Sequence, residues 1–325
     1  MMNTHFFVTG AMGCIGAWVV RNLVNGNTPV TVFDLDTNPH RLRLMMSNEA
    51  LTQVKFVSGD ITDYAVLERA LRDCGATHIV HLAGLQVPFC RADPALGARV
   101  NVVGTVNMFE AAKRAGIKHL SYASSIGVFG FSEEYPSEPI KHEGRPIPHS
   151  HYGVYKLANE GTASVYWADE GISSVGLRPY VVYGPGRDQG MTSTPTKAMF
   201  AAAAGKPYHI SYGGRFHMQH ADDTAQAFIR AATVAHKGAP VLNLHGSVVH
   251  QREVVAAIEA AVPSAAGTIT FDPKPLPLPE EFVDERLAEI LGPLPYTPLD
   301  QGVAHTIEIF QRAIANDRVD IKRYA

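Results

Sequence analysis

Cysteine is scarce in this chain: among 325 residues only Cys14, Cys74 and Cys90 occur, and no two of them form a C-x-x-C pair. An odd number of cysteines without that spacing predicts neither a disulfide framework nor a structural zinc site. We therefore expect a protein of a reducing compartment, the cytoplasm.

The chain also lacks a surplus of positive charge and any long hydrophobic run. Its 28 Lys and Arg are outnumbered by 31 Asp and Glu, and no basic cluster stands out, so a nucleic acid backbone would meet no stripe of cations. No apolar run approaches the roughly 18 residues that span a bilayer, and no basic segment with a cleavage site opens the sequence. These absences predict neither a nucleic acid nor a membrane as partner.

Spacing typical of metal ligands is missing as well. Four histidines lie near one another in sequence but fall in separate predicted elements, without pairing one helical turn apart: His217, His220, His245 and His250. We expect no metal site.

What the chain does have is a glycine-rich turn near its start, V-T-G-A-M-G-C-I-G over residues 8–16. Strand-like residues precede it and helical apolar spacing follows it, so it connects a strand to a helix. Unpaired N–H groups at a helix N-terminus bind phosphate, and glycine lets the backbone come close to it. Gly10 would make the turn, Gly13 the close approach and Gly16 the packing of helix on strand. Because the spacing is G-x-x-G-x-x-G and not G-x-G-x-x-G, the alternative is a set of ordinary turn glycines.

Strands and helices alternate beyond this turn. Strands are predicted at 30–34, 54–60, 77–82, 117–123 and 173–178, with helices at 63–74, 94–115 and 149–170. Because parallel strands need crossover helices, the fold class is α/β, a Rossmann-type doubly wound parallel sheet. Looser segments with shorter helices near 195–204, 221–235, 251–261 and 302–315 predict a smaller C-terminal substrate-binding lid. We divide the chain into residues 1–178, the NAD-binding Rossmann part with the catalytic groups, and residues 179–325, interleaved with the first.

Acidic residues stand where two of the predicted strands end. Asp34 follows Gly16 at about the separation of a carboxylate that accepts hydrogen bonds from an adenosine ribose. Its charge would repel a 2′-phosphate and no arginine follows it directly, which favours NAD over NADP. The alternative for Asp34 is a strand-end turn or a helix cap. Asp60, followed by Ile61, contacts adenine or caps the helix that begins near Asp63.

A tyrosine and a lysine, Tyr152 and Lys156, lie four residues apart and so project from the same face of a helix. A tyrosine exchanges protons poorly near pH 7 unless a cation stabilises its phenolate, and a lysine one turn away supplies that cation. An ordinary solvated helix face is the alternative for this spacing alone.

Together these features resemble the extended branch of the short-chain dehydrogenase/reductase superfamily, the NAD-dependent epimerase/dehydratase family. The resemblance covers most of the chain through ordered motifs: T-G-A-x-G-x-x-G at 9–16, H-L-A-G at 81–84, N-V-V-G-T at 101–105, S-S-x-x-V-F-G at 124–130, Y-x-x-x-K at 152–156, L-R-P-x-x-V-Y-G-P-G at 177–186, H-A-D-D at 220–223 and Y-T-P-L-x-x-G-V-x-x-T at 296–306.

The resemblance implies a role for each chemical group. Ser125 would hydrogen-bond the reacting oxygen, Tyr152 would exchange its proton, and Lys156 would hold the nicotinamide ribose and lower the pKa of the tyrosine. Ser125 stands in the family's register before Val128, whereas Ser124 is expected to contact substrate; packing at the strand end is the alternative for both. The implied NAD-binding residues are Gly10, Met12, Gly13, Cys14, Ile15, Gly16, Asp34, Asp60, Ile61, Leu82, Ala83, Gly84, Asn101, Tyr152 and Lys156.

Two departures from the family's pattern bear on the substrate. Val181 stands where many nucleotide-sugar epimerases carry an asparagine that contacts the substrate phosphates, and Arg215 is displaced from the family's R-D-F-x-H-x-D-D register. These departures argue against a diphosphate site and favour a small polyol, sugar or sugar acid, with Arg187 as a carboxylate partner or else a surface arginine. The predicted substrate-binding residues are Gln86, Ser124, Ser125, Tyr180, Arg187, Thr192 and Ser193.

The sequence thus predicts an NAD-dependent oxidoreductase that oxidises a secondary alcohol of a small hydroxylated substrate. An NAD-dependent sugar or nucleotide-sugar epimerase or dehydratase is the alternative among enzymes, and an NAD-sensing protein without catalysis is the alternative from another class. Apolar residues surround much of the helix predicted at 94–115, and small residues mark the helix at 149–170. We therefore expect a homodimer that pairs these two helices with their copies, the arrangement common in the family; cover by the lid or a loop of the same chain is the alternative.

Overall fold

The computed structural model describes residues 4–135 and 139–324. The first part of the chain alternates strands and helices: β1 (Phe6–Thr9), α1 (Cys14–Asn25), β2 (Val30–Asp34), α2 (Asn48–Leu51), β3 (Val54–Ser58), α3 (Tyr64–Cys74), β4 (His78–His81), α4 (Val87–Ala92), α5 (Pro94–Ala98), α6 (Gly104–Arg114), β5 (His119–Ala123), α7 (His151–Glu170) and β6 (Ser173–Arg178). The later part contains β7 (Val181–Tyr183), α8 (Thr194–Ala203), β8 (Tyr208–Ile210), β9 (Arg215–His220), α9 (Ala221–Thr233), β10 (Val241–Asn243), β11 (Ser247–His250), α10 (Gln251–Ala261), β12 (Ile269–Phe271), α11 (Glu285–Leu291) and α12 (Leu299–Ala315).

The main sheet has seven strands in the order β3-β2-β1-β4-β5-β6-β10. All of its neighbouring strands run parallel, which confirms the predicted doubly wound α/β fold. Chain order reverses between β1 and β4, and in such sheets ligands bind beyond the carboxyl ends of the strands at this switch point. The segments after β1, β2, β4 and β5 therefore meet at one edge.

Both faces of the sheet are covered, as a parallel sheet requires. Successive strand residues point to opposite sides, so Phe6 and Val8 pack with α1 and α9, whereas Phe7 packs in the layer of α3, α6 and α7. Burial on both faces explains why the central strands read as nearly continuous apolar runs.

A smaller apolar core lies in the C-terminal part, among α8, α10, α12 and two small sheets. One sheet orders its strands β7-β9-β11 and the other pairs β8 with β12. The division proposed at residue 178 falls between β6 and β7, while β10 returns to the edge of the main sheet. In the described part of the chain no helix is both long and apolar enough to cross a membrane.

The long helix predicted over residues 94–115 is correct in extent but not uniform. A wider π-helical turn at Arg99–Val103 separates α5 from α6. Such turns insert an extra residue into the helix and are frequent at functional sites. Here the turn contains Asn101, which is fully buried and reaches the loop after β4.

Candidate active site

The glycine turn between β1 and α1 leaves no room for side chains. Gly10 has a positive φ of 69°, and a Cβ built on it would lie 2.5 Å from the backbone nitrogen of Ala83. A Cβ on Gly16 would lie 2.4 Å from the carbonyl oxygen of Gly10. Only glycine fits at these two positions, which bring α1 against the turn and the turn against the segment after β4.

The N-terminus of α1 can bind an anion. Its N-cap residue, Gly13, offers no side chain to the first N–H groups, and no acidic residue occupies the first turn. At the end of β2, the Asp34 carboxylate accepts a 2.9 Å hydrogen bond from the Met12 N–H. Burial raises the pKa of Asp34, against the opposing effect of backbone hydrogen bonds. A phosphate cradle with a carboxylate beside it fits the pyrophosphate and ribose of NAD.

A buried polar chain fixes the ends of β1 and β4 to α6. His81 hydrogen-bonds Thr9 Oγ1 through Nδ1 (2.7 Å) and Thr105 Oγ1 through Nε2 (3.1 Å). Burial, together with the charge of Lys156, lowers the pKa of His81 to about 3, so the ring is neutral. Leu82 and Ala83 are thereby held against Gly10, where they were predicted to meet the cofactor.

Asn101 holds the next residues of this segment. Its side chain exchanges two 3.1 Å hydrogen bonds with the backbone of Leu85 and also donates to Cys90 Sγ. A Cβ on Gly84 would lie 2.5 Å from Asn101 Oδ1 and 3.4 Å from Lys156 Nζ. Asn101 therefore positions the loop beside Lys156, and its own contact with a cofactor stays a prediction.

The predicted catalytic residues meet between the end of β5 and the start of α7. The Ser150 side chain caps α7 by accepting a hydrogen bond from the Gly153 N–H (3.1 Å), which starts the helix just before Tyr152. A Cβ on Gly153 would lie 2.1 Å from the Gly127 carbonyl oxygen. This close approach brings the helix to the turn that follows Ser125, where a Cβ built on Gly127 would lie 3.3 Å from Ser125 Oγ and 3.6 Å from the Tyr152 ring.

Burial shifts the pKa values of Tyr152 and Lys156 in opposite directions. It raises the pKa of Tyr152, while the Ser125 hydroxyl and the positive charge of Arg187 oppose the rise. Burial lowers the pKa of Lys156 to about 8. Lys156 Nζ donates to the Ala123 carbonyl (2.7 Å) and lies 5.6 Å from the centre of the Tyr152 ring. A positively charged nicotinamide beside these groups would lower the pKa of the tyrosine, against the effect of burial.

Ser124 lies behind this group and not beside it. Its hydroxyl donates to Glu160 (2.5 Å), which forms a buried two-point ion pair with Arg178 (2.8 and 2.7 Å). This pair links the end of β6 to α7 and was not predicted. The Ser124 hydroxyl already has Glu160 as its partner, and its contact with a substrate stays a prediction.

The loop of residues 184–193, called the substrate loop below, carries three of the predicted substrate residues. Arg187 Nη2 donates to Thr192 Oγ1 (3.0 Å), and Ser193 Oγ donates to the Gly190 carbonyl (2.8 Å). Arg187 is close enough to Tyr152 for its charge to act on the phenol. The structure thus brings Arg187 and Thr192 together, with the charge of Arg187 acting on Tyr152, the tyrosine predicted to be catalytic, while Ser193 closes the loop on itself.

The remaining predicted residues are divided between the cleft and the core. Gln86 follows the loop held by Asn101, whereas Tyr180 is largely buried with its ring against Phe282. Ile61 is buried against Gly104. Asp60 accepts hydrogen bonds from Thr62, and Asp63, not Asp60, caps α3, so the interpretation of Asp60 as that cap is wrong.

The glycine turn itself touches the substrate loop. Burial raises the pKa of Cys14 to about 11, so its thiol stays protonated, and Trp18 Nε1 donates to the Pro185 carbonyl (3.0 Å). Arg41 bridges the Met12 carbonyl and the buried Asp188 carboxylate. Neither Arg41 nor Asp188 was predicted, because 147 residues separate them and local spacing does not indicate the contact.

The four histidines considered as metal ligands are spread over several elements. His217 and His220 lie buried in β9, where burial lowers the pKa of each to about 4. His245 pairs with Asp284, and His250 caps α10. Over residues 4–135 and 139–324, no group of three or more His, Cys, Asp or Glu side chains is placed to hold a metal ion.

Comparison with known proteins identifies the family of this chain. The sequence pattern of the NAD dependent epimerase/dehydratase family matches residues 6–244. A UDP-glucose 4-epimerase of Mycolicibacterium smegmatis is 32% identical over 314 residues, which cover 94% of this chain and 97% of that protein.

Two solved structures show the same architecture. The Thermus thermophilus UDP-glucose 4-epimerase in complex with NAD is 26% identical, with a TM-score of 0.79 over 95% of this chain and 100% of its own. An L-threonine dehydrogenase from Clostridium difficile superposes with a TM-score of 0.82 at 20% identity, over 96% of this chain and 99% of its own, a likeness of fold.

Proposed function

Since the chain belongs to the NAD-dependent epimerase/dehydratase family, we propose that it oxidises a secondary alcohol of a small hydroxylated substrate to a ketone or lactone. The substrate class is a sugar, a sugar acid or a polyol. The cofactor of the family is NAD, and a structural neighbour holds it.

The residues of this chain divide the work. The N–H groups at the start of α1 hold the pyrophosphate, and Asp34 accepts hydrogen bonds from the adenosine ribose. When bound, NAD accepts the hydride from the alcohol carbon. Ser125 holds the alcohol oxygen by a hydrogen bond, the Tyr152 phenolate oxygen takes its proton, and the Lys156 ammonium stabilises that phenolate.

The observation that carries this proposal concerns Val181 and Arg215, which differ from the family's pattern for binding a substrate diphosphate. Val181 is fully buried in β7 and has no polar group to offer. The side chain of Arg215 is 52% exposed and pairs with Glu280 at 3.6 Å, on the surface. Neither residue supplies a hydrogen bond or a charge to a diphosphate in the cleft.

This difference bears on the reaction. An epimerase must retain the ketone while it turns its opposite face to the cofactor, and a diphosphate anchor serves that purpose. Without the anchor a small ketone leaves after its oxidation. Net oxidation is therefore the expected outcome.

The experiment is to incubate the protein with excess NAD and sugars, sugar acids, polyols or UDP-glucose, and to follow NADH and product by absorbance and chromatography. The proposal expects NADH to accumulate with an unactivated compound and not with UDP-glucose. Conversion of UDP-glucose to its 4-epimer without accumulated NADH would contradict it.

A UDP-sugar epimerase is the second candidate. It is favoured by the Mycolicibacterium smegmatis relative, which is 32% identical along nearly the whole of both chains and is a UDP-glucose 4-epimerase. Calorimetric titration with UDP separates the two candidates independently of turnover, because an epimerase of this kind binds the nucleoside diphosphate part of its substrate, whereas the proposed dehydrogenase does not.

We further propose that the protein is a homodimer in the cytoplasm. Large apolar side chains are exposed along α4 to α6 and on α7: Phe89, Leu96, Val103, Val154 and Val165. A second copy of the same helices would cover them in a four-helix arrangement. The three free cysteines are compatible with a reducing compartment.

A further inference from the structure

Arg187 is a cation near the catalytic tyrosine without an anion of its own. Among the described residues, no carboxylate lies within ion-pair distance of Arg187, and the guanidinium donates one hydrogen bond, to Thr192. Its Nε is buried with no acceptor. The adjacent carboxylate, Asp188, cannot neutralise it, because Arg41 occupies both oxygens of Asp188.

Tyr212 is a second donor without an acceptor. Its side chain is buried, with the ring edge-on to Phe216 at 5.4 Å, and its hydroxyl has no hydrogen-bond partner. The charge of Arg187 acts on this phenol and opposes the rise of its pKa caused by burial. Tyr212 was not among the residues predicted from the sequence.

Gln86 supplies the complementary group, an acceptor without a donor. Its Oε1 is buried and receives no hydrogen bond. A Cβ built on Gly190 would lie 2.2 Å from this oxygen and 3.3 Å from Arg187 Nη2. Gly190 therefore leaves a narrow space into which both side chains reach, and its φ of +95° fits glycine alone.

A buried polar group without a partner is costly, so the unpaired atoms of Arg187, Tyr212 and Gln86 point to a ligand that completes their hydrogen bonds. Arg187 Nε–H and the Tyr212 hydroxyl require acceptors, which a carboxylate supplies with charge. Gln86 Oε1 requires a donor, which a hydroxyl supplies.

We propose that Arg187 and Tyr212 bind the carboxylate of a small hydroxy acid while Gln86 accepts a hydrogen bond from one of its hydroxyls. This inference rests on the proposed oxidation at Tyr152 and narrows its substrates from sugars, polyols and acids to the acids.

The test compares matched compounds that differ only in the charged group: D-gluconate with D-glucitol, L-threonate with L-threitol, and D-glycerate with glycerol. Binding to the NADH-loaded protein is measured by calorimetry, which does not depend on turnover. We expect at least one acid to bind about tenfold more tightly than its polyol, because a charge-assisted two-point hydrogen bond is lost in the polyol.

Variants assign the effect to the residues. Arg187→Leu is expected to weaken binding of the acid about tenfold or more and to leave the polyol and NADH unchanged, Arg187→Lys to weaken it less, and Tyr212→Phe to weaken it a few-fold. Arg215→Leu removes an equal charge from the surface and is the control, with no effect on any of these ligands. Melting temperatures show that each variant is folded.

Three outcomes would overturn the inference: every polyol binding as tightly as its acid, no binding of any acid, or an Arg187→Leu variant that loses affinity for NADH and not for the acid. The last outcome would assign Arg187 to the cofactor pyrophosphate. An acid that binds through Arg187 but is only isomerised would leave this inference standing and contradict the proposed oxidation. Oxidation of polyols alone, independent of Arg187, would support the proposed oxidation and contradict this inference.

Discussion

Arg41 donates hydrogen bonds to both carboxylate oxygens of Asp188, through Nε at 3.1 and 3.2 Å and through Nη2 at 2.6 Å. The same guanidinium donates to the Met12 carbonyl in the glycine turn. One side chain thus joins the predicted cofactor turn to the substrate loop, next to Arg187. Asp188 is buried, and although burial alone would raise its pKa, the hydrogen bonds from Arg41 and the proximity of His40 (Nε2 to Oδ2 3.8 Å) hold it below the ordinary 3.8.

We expect Asp188→Asn to lower the free energy of unfolding by about 3 kcal/mol near neutral pH, since it leaves a largely buried arginine without its counter-charge. The pKa of Asp188 is lower in the folded than in the unfolded chain, so its contribution is present above the unfolded value and fades as the pH falls below 3.8. Denaturant unfolding at several pH values measures this.

The same variant tests the positioning of Arg187. The KM of the substrate should rise about tenfold while kcat changes less, because the loop that carries Arg187 loses its anchor. Arg41→Lys should retain part of the effect of the wild-type pair, and Asp169→Asn, at an exposed position late in α7, is the control. Equal changes in KM for Asp188→Asn and Asp169→Asn would show that the anchor has no such role.

The buried Lys156, which is proposed to act in catalysis, should lower the unfolding free energy at neutral pH. Its pKa falls from 10.5 to about 8 on burial, so between these pH values the unfolded chain binds the proton and the folded chain does not. Stability therefore rises with pH through this window. We expect Lys156→Met to be inactive but more stable than wild type at pH 7, by up to a few kcal/mol, with the difference shrinking as the pH rises from 8 to 10.5.

The control for this prediction is Lys118→Met, which removes an exposed lysine and should change stability little at any pH. An Lys156→Met variant that is less stable than wild type at pH 7, by an amount independent of pH, would contradict the assigned cost of burying Lys156.

Gly153→Ala should damage the site through the backbone. The added methyl meets the Gly127 carbonyl oxygen at 2.1 Å and must push α7 away from the turn that follows Ser125. We expect a loss of about 1–3 kcal/mol in unfolding free energy and about tenfold in kcat/KM. At Gly161, also in α7, a Cβ meets nothing within 4 Å, so Gly161→Ala should keep activity and gain about 0.5–1 kcal/mol. Similar effects of the two changes would show that the close approach at Gly153 is not needed.

If the protein is a dimer of the proposed kind, a charged side chain placed in its interface should separate the two copies. Val103 is 45% exposed at the wide turn between α5 and α6, and Val165 on α7 is 56% exposed. Val103→Glu should convert a dimer to a monomer in light scattering at micromolar concentration, because an unpaired carboxylate would be buried between the copies. Ile321→Glu, at a comparably exposed position (44%), should remain dimeric. A monomeric wild-type protein, or a dimer unaffected by Val103→Glu, would contradict the arrangement.

The fold was largely predictable because its signals are local. Apolar periodicity placed β6 at 173–178 and α10 at 251–261 with no error in either boundary. The glycine turn and the Tyr152–Lys156 spacing are equally local, since each lies within one strand, turn or helix. The π-helical turn at Arg99–Val103 was not predictable, because it depends on how Asn101 reaches Leu85 across the cleft.

The parts of the site that escaped prediction join distant segments. Arg178 with Glu160 and Arg41 with Asp188 are pairs whose members carry no mark of each other in the sequence. Tyr212 lies in an irregular stretch between β8 and β9, where neither helical nor strand periodicity indicates which side chain is buried. Such contacts arise only when segments from different parts of the chain pack together.

The fate of the hydrogen on the oxidised carbon tests the central claim most directly. The hydroxy acid with the highest kcat/KM is prepared with deuterium at the alcohol carbon and incubated with excess NAD, and mass spectrometry locates the label. We expect one labelled reduced cofactor for each ketone or lactone formed, and no product with Tyr152→Phe, which removes the group that takes the proton. A product of unchanged mass that retains the deuterium on an inverted carbon would contradict it and identify an epimerase.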